Sequence, residues 1–172
     1  YVLATTGMRF GEMAALRWEH VDFESGFFTI EASAVDGNSH PTKTGTKRRT
    51  PVRADVAEIL REYREWREKR AWPNPQGLVF PSRGGKYRHS TMMRKVFDRC
   101  GKRAEIDKRI TNQALRRTLQ NIVRQTAVEI AARALVGHVT TAMTWHYSDV
   151  TDDERNAAIA KAFSTRKRNI TR

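Results

Sequence analysis

The chain is poor in several features that would send its reading elsewhere. A single cysteine, Cys100, in 172 residues excludes an intrachain disulfide and offers no cysteine cluster for zinc. Its place in a helical apolar pattern with Met93, Val96 and Phe97 predicts a buried thiol. No apolar run is long enough to span a bilayer and no signal sequence is visible, so no membrane partner and a cytoplasmic or nucleoid location are expected. Acidic residues are scarce: 19 Asp and Glu stand against 32 Lys and Arg, a formal net charge of +13. That excess fits a polyanion, because each cation that meets a phosphate releases condensed counterions. A ribosomal protein or an anionic membrane would account for the charge equally well, so charge alone says nothing about catalysis. The chain also lacks an initiator Met. Residues 1–4, Tyr-Val-Leu-Ala, read as the middle of a buried helix with no cap, so a missing N-terminal part is expected.

No repeat, linker or second domain is visible, and 172 residues suffice for one domain with a real core. Residues 1–5 look helical, with Gly7 as a break. Residues 10–18 read as a second helix with Met13, Leu16 and the neighbouring alanines on one face. Residues 27–31 are β-prone, and residues 49–53 are a plausible partner strand. Asp36-Gly37-Asn38 between them is turn chemistry, so a β-hairpin or a three-stranded sheet is expected. Residues 54–70 form an amphipathic helix with a stripe of Val56, Ile59, Leu60 and Tyr63. A loop over 72–76, an apolar segment over 78–80 and a turn over 81–86 follow. Ser90 can cap the next helix. Residues 115–127 and 128–136 read as helices, the latter ended by Gly137. Thr151 and Glu154 form a capping box for a last helix through Phe163. The class is mainly α with a small antiparallel β-sheet, an α+β domain over 1–163 with a basic tail over 164–172.

Four patches carry chemistry. Arg9 lies in TGMRFGE, Lys43 in TKTGTKRR, Arg116 in ALRRT, and His138 precedes Tyr147 in LVGHVTTAMTWHY. Guanidinium forks match two phosphate oxygens at once and stabilise charge developing there. An ammonium can give a proton to a leaving alkoxide. A phenol can attack phosphorus once cations and a proton acceptor activate it. Alone, each patch has a bland reading: a solvated helix start for Arg9, a basic helix face for Arg116 and Arg117, a helix terminus for His138, ordinary packing for one tyrosine of four.

Taken in order, the patches resemble the catalytic domain of tyrosine recombinases, the phage integrase family, over residues 1–163. Leu16-Arg17-Trp18 and Val21-Asp22 fit the continuation of the first motif, and Tyr147 stands nine residues after His138 as in the family. The resemblance implies that fold, a site-specific DNA recombinase or integrase activity without metal, ATP or other cofactor, and a 3′-phosphotyrosyl intermediate. Arg9 and Arg116 would hold the phosphate, Lys43 would be the proton donor with Lys47 as runner-up, His138 would assist, Tyr147 would attack, and Glu12 would brace the first motif. Lys47, Arg48, Arg49 and Arg117 would ride on the backbone of double-stranded DNA. A preceding domain that grips the DNA core would be the missing part. The protein would be a monomer alone and a homotetramer on DNA, with the segment after the tyrosine packing on a neighbouring protomer or on its own domain.

One position departs from the family. Gln113 stands three residues before Arg116, where a histidine is usual, and glutamine cannot take a proton near neutrality. By the resemblance Gln113 holds a catalytic position, so either general-base help there is dispensable, the enzyme is slow, or the residue was changed to trap a complex. His146 beside the tyrosine could assist, and Gln113 is the one feature that favours the rival reading of a DNA-binding module that no longer cleaves. A type IB topoisomerase is the nearest rival enzyme.

Overall fold

The computed structural model describes residues 1–42, 46–126, 153, 156, 157 and 159–161; it is mainly helical with two small antiparallel sheets. Helix α1 (Val2–Thr6) is short and buries Val2, Leu3, Thr5 and Thr6. The buried threonine hydroxyls donate back to the Val2 carbonyl, at 3.2 Å from Thr5 and 2.7 Å from Thr6, so neither is left unpaired. Gly7 closes the helix at φ 65°, its N–H returning to the Leu3 carbonyl at 3.2 Å. That left-handed cap favours glycine.

Helix α2 (Phe10–Ala15) stops three residues short of the expected Trp18. Leu16 is already extended at φ −64°, ψ 129°. Its carbonyl accepts the Val79 N–H at 2.8 Å, and the Trp18 N–H donates to the Gly77 carbonyl at 2.9 Å. A distant segment takes the backbone groups that a last helical turn would have used. Residues Trp18–His20 then turn as a short 3-10 helix.

Strands β1 (Val21–Asp22) and β2 (Phe27–Ile30) are followed by β3 (Ala32–Val35), β4 (Asn38–Pro41) and β5 (Arg48–Pro51). One sheet has the order β1-β2-β5, the other pairs β3 with β4, so a hairpin and a three-stranded sheet both occur. Asp36 and Gly37, at φ 49° and 82°, make the two-residue turn between β3 and β4, where Val35 faces Asn38. Strand β5 begins one residue before the expected 49 and ends at Pro51; the next N–H, of Val52, turns aside to the Gly26 carbonyl at 2.8 Å. Phe28 pairs with Thr50 and Ile30 with Arg48, so these four share a face. Strand β3 lies against α2 through small residues: Ala14, Ala15 and Ala34 bury together. A Cβ on Gly11 would sit 2.8 Å from the Ala34 carbonyl oxygen.

Helix α3 (Ala54–Glu68) turns Val56, Ala57 and Leu60 into the core with Phe28, Ile30 and Val79. Each large side chain buried there contributes about 1.5–3 kcal/mol. Ile59, expected in the stripe, is exposed; it lines an open apolar groove of about 340 Å³ with Tyr1, Tyr63, Phe80 and Phe97. Helix α4 (Met92–Arg103) also corrects the expected pattern. Ser90 is not its cap: Thr91 holds that position without a side-chain cap bond, and its hydroxyl pairs with His89 Nδ1 at 2.9 Å. Its inward stripe is Met93, Phe97 and Gly101, the last packed against Ile110, so Val96 and Cys100 face solvent and the thiol is exposed.

Helix α5 (Asn112–Thr126) starts earlier than expected, with Thr111 Oγ1 accepting the Ala114 N–H at 3.0 Å, and packs on α1 with Leu119 and Val123 buried. The described residues between 153 and 161 are helical, and Ile159 is buried. The helix expected over 128–136, the Thr151 and Glu154 cap and the basic tail lie outside the described residues. Among the described residues no helix is long and apolar enough to cross a membrane.

Candidate active site

Gly7 links α1 to α5. Because its N–H caps α1, its carbonyl is left to accept a hydrogen bond from Arg116 Nη1 on α5. Two residues on, Arg9 is extended at φ −69°, ψ 152° and opens α2. Glu12, one turn inside α2, reaches back so that its Oε2 accepts the Arg9 N–H at 2.7 Å. Its Oε1 accepts Arg9 Nη1 at 3.1 Å, and Oε2 also accepts Arg48 Nη2 at 2.7 Å. Arg116 and Glu12 are only 3% and 4% exposed, whereas the Arg9 side chain is 51% exposed.

The electrostatics follow from that burial. Arg116 is lowered to about 10, first by burial and then by the charge of Arg9, with Glu12 opposing and Arg48 adding a smaller repulsion. Arg48 is also held below its ordinary value, again chiefly by burial, with Glu12 opposing and Arg9 repelling. Both stay cationic at neutral pH. Arg9 and Arg48 thus pair with one carboxylate and Arg116 lies within electrostatic reach of it, so among the described residues cations outnumber anions there. In a poorly hydrated setting such an excess of positive charge favours an anion, and the exposed Arg9 gives it a solvent-facing donor. Arg48 Nη1 is buried and finds no acceptor among the described residues.

The other sequence candidates fall in different places. Gln113 is exposed in the first turn of α5, and Arg117 is exposed beside the buried Arg116. Lys47 is 73% exposed, with Nζ 2.5 Å from Glu31 Oε2. Glu31 Oε1 also meets His20 Nε2 at 2.9 Å. The Glu31 carboxyl lies below its ordinary range, first through the Lys47 hydrogen bond. Arg49 faces outward, its guanidinium 4.2 Å from the Phe27 ring centre and donating to Ser25 Oγ at 2.9 Å. Lys43, His138, His146 and Tyr147 lie outside the described residues. Among the described residues no group of His, Cys, Asp and Glu is placed to hold a metal ion.

Sequence reasoning grouped Arg48 with Lys47 and Arg49 as one basic run along the backbone. The structure separates them. Alternation along β5 turns residues 48 and 50 inward and residue 49 outward, and the register opposite Ile30 and Phe28 was the signal that could have revealed it.

A mainly helical domain with small antiparallel sheets, in which Arg9 at the start of α2 and Arg116 on α5 lie near each other, defines an α+β class. The sequence pattern of the phage integrase family matches residues 1–154, and the chain belongs to that family. The integrase of Staphylococcus phage L54a is 25% identical over 177 residues, covering 93% of this chain and 50% of that protein. Tyrosine recombinase XerA of Pyrococcus furiosus is 24% identical over 163 residues, covering 94% of this chain and 52% of that protein. The chain thus spans about half the length of these relatives. The crystal structure of XerA recombinase superposes with a TM-score of 0.67 at 22% identity, covering 96% of this chain and 56% of that one. The Tn1549 transposon integrase, in complex with a circular intermediate DNA, gives 0.67 at 20% identity, covering 92% and 56%. The fold is that of tyrosine recombinase catalytic domains.

Proposed function

We propose that this chain is the catalytic domain of a site-specific DNA recombinase or integrase that cuts through a tyrosine. The observation that carries the reading is that Arg9, paired with Glu12, and the buried Arg116, which donates to the Gly7 carbonyl, are brought from α2 and α5 close enough for their charges to repel. A scissile phosphate is a ligand such a cluster can take. Tyr147 is the nucleophile. Its phenol, ordinarily near ~10, is activated by the same cations that hold the phosphate and gives up its proton to water as it attacks. Its oxygen bonds to phosphorus, the bond to the 5′-oxygen breaks, and that oxygen takes a proton from Lys43. The products are a 3′-phosphotyrosine and a free 5′-hydroxyl. Another 5′-hydroxyl reverses the step on the partner strand, so resealing consumes no ATP. Arg9, Arg116 and His138 stabilise the charge on the non-bridging oxygens.

DNA complexes of the Tn1549 integrase support double-stranded DNA as the partner. A tetramer on paired sites follows from the need to exchange four strands. Tests start with a denaturing gel of this chain on nicked suicide duplexes carrying its attachment site. A covalent band that disappears in Tyr147→Phe, with binding retained, supports the reading; a band that persists removes Tyr147 from the role.

A second reading, a binding module that does not cleave, is favoured by Gln113. Gln113→His should preserve or raise adduct formation. A large loss would mean that the site is built around the glutamine.

A further inference from the structure

We infer that Arg48 is a positioning residue for the phosphate site, acting on Arg9 through Glu12 and not by touching DNA. The inference rests on reading Arg9 and Arg116 as phosphate ligands. Three observations carry it. First, Arg48 is not part of the outward basic run. It occupies an inward register position beside buried Ile30, with Thr50 and Phe28 on the same face, and its side chain is mostly covered.

Second, its one strong contact is with the carboxylate that also holds Arg9. Glu12 Oε2 receives Arg48 Nη2 and the Arg9 backbone N–H, both at 2.7 Å, which leaves Oε1 for Arg9 Nη1 at 3.1 Å. Among the described residues the Arg9 guanidinium is therefore held through Nη1, and its side chain stays half exposed toward a ligand. Without Arg48, Oε2 would keep only the Arg9 N–H, and the carboxylate charge now shared between two guanidiniums would fall on Arg9 alone, so that the charge meant for phosphate would be neutralised inside the protein. Third, Arg48 Nη1 is buried and has no acceptor among the described residues. A residue kept only for stability would not be expected to leave a charged donor unsatisfied. Arg48 also stands five residues after Lys43, so the same contact ties the strand that follows that lysine to the start of α2.

The test uses the whole 172-residue chain and inorganic phosphate as the probe. Arginine Nε–Hε signals are followed by NMR as phosphate is added, in the wild type, Arg48→Met and Arg48→Lys, at a temperature where circular dichroism shows each folded. In the wild type, phosphate should shift Arg9 and Arg116 more than Arg48. Arg48→Met should weaken phosphate binding about tenfold, and Arg48→Lys, which still reaches Glu12, should stay within about threefold of wild type. Wild-type affinity in Arg48→Met would reduce Arg48 to a structural role and overturn the inference. A dominant shift at Arg48 itself would make it a direct ligand and overturn it too. The wild-type titration decides this point even if Arg48→Met does not fold. Absence of any phosphate-dependent shift at Arg9 or Arg116 would also overturn it. A chain that binds phosphate at these arginines yet never couples to DNA would defeat the proposed function and leave the role of Arg48 standing.

Discussion

Two clusters in this chain are built from the same groups and behave in opposite ways. At the start of α3, Arg53 grips Asp55 with Nε and Nη2 at 2.9 and 2.8 Å. The Tyr1 hydroxyl and the Val56 N–H donate to the same carboxylate at 2.8 and 3.0 Å. One cation meets one anion, and Asp55 is pulled down to about 2, first by the Arg53 hydrogen bond. At Glu12, Arg9 and Arg48 share one carboxylate with Arg116 in electrostatic reach, and burial pushes Arg116 and Arg48 below their ordinary values. The first cluster balances its charge internally and holds a helix start in place. The second keeps cationic capacity in reserve. Net charge within the cluster, not the presence of arginine, separates a fold contact from a candidate site.

The sharpest way to break this contrast is Arg116→Met. Covalent attachment to DNA should fall by about 10²–10³-fold, the cost of losing one preorganised donor to a developing oxyanion. Stability should fall by about 1–3 kcal/mol at most, because the Gly7 carbonyl loses its buried donor. Single-turnover adduct gels and thermal melting check the two halves; a melting loss with attachment intact would reverse the assignment.

Next comes the frame beneath the site. Gly11→Ala places a Cβ 2.8 Å from the Ala34 carbonyl oxygen and should cost about 1–3 kcal/mol in urea unfolding. A neutral result would mean that α2 and β3 can part freely, leaving the second cluster without a rigid frame.

Asp55→Asn should have the smallest effect, under about 1 kcal/mol after solvent screening, and should leave DNA attachment unchanged. The carboxyl is depressed in the folded state. Its contribution is therefore present above about pH 4, the ordinary carboxylate range, and is lost as pH falls toward about 2. Melting of wild type and variant should converge as pH is lowered through that window. A constant gap would remove the ionised carboxylate as the cause.

The parts of this fold that sequence reasoning reached are those decided within a few residues. Gly7 breaks α1 because the left-handed cap is local chemistry, and Asp36-Gly37 turns for the same reason. The misses were decided by distant partners. Residues 16–18 left the helical pattern because residues 77–79 took their backbone groups. Cys100 faces solvent because α4 packs along Gly101, where the absence of a side chain carries no hydrophobic signal. Arg9 and Arg116 were legible as motif residues, but the sharing of Glu12 by Arg9 and Arg48 and the inward turn of Arg48 needed the sheet register. The parts assigned to Lys43, His138 and Tyr147 rest on the motif alone.

The hydrogen bond from Arg116 to the Gly7 carbonyl spans 109 positions. Such a contact has a high loop-closure cost and forms only after the intervening strands and helices have brought α5 back to α1. A chain still leaving the ribosome carries Arg9 and Glu12 long before it carries Arg116. Until synthesis has passed that point, the cluster has no second helix to close on. The geometry that gathers the arginines therefore also times their assembly, withholding a complete site from any shorter nascent product.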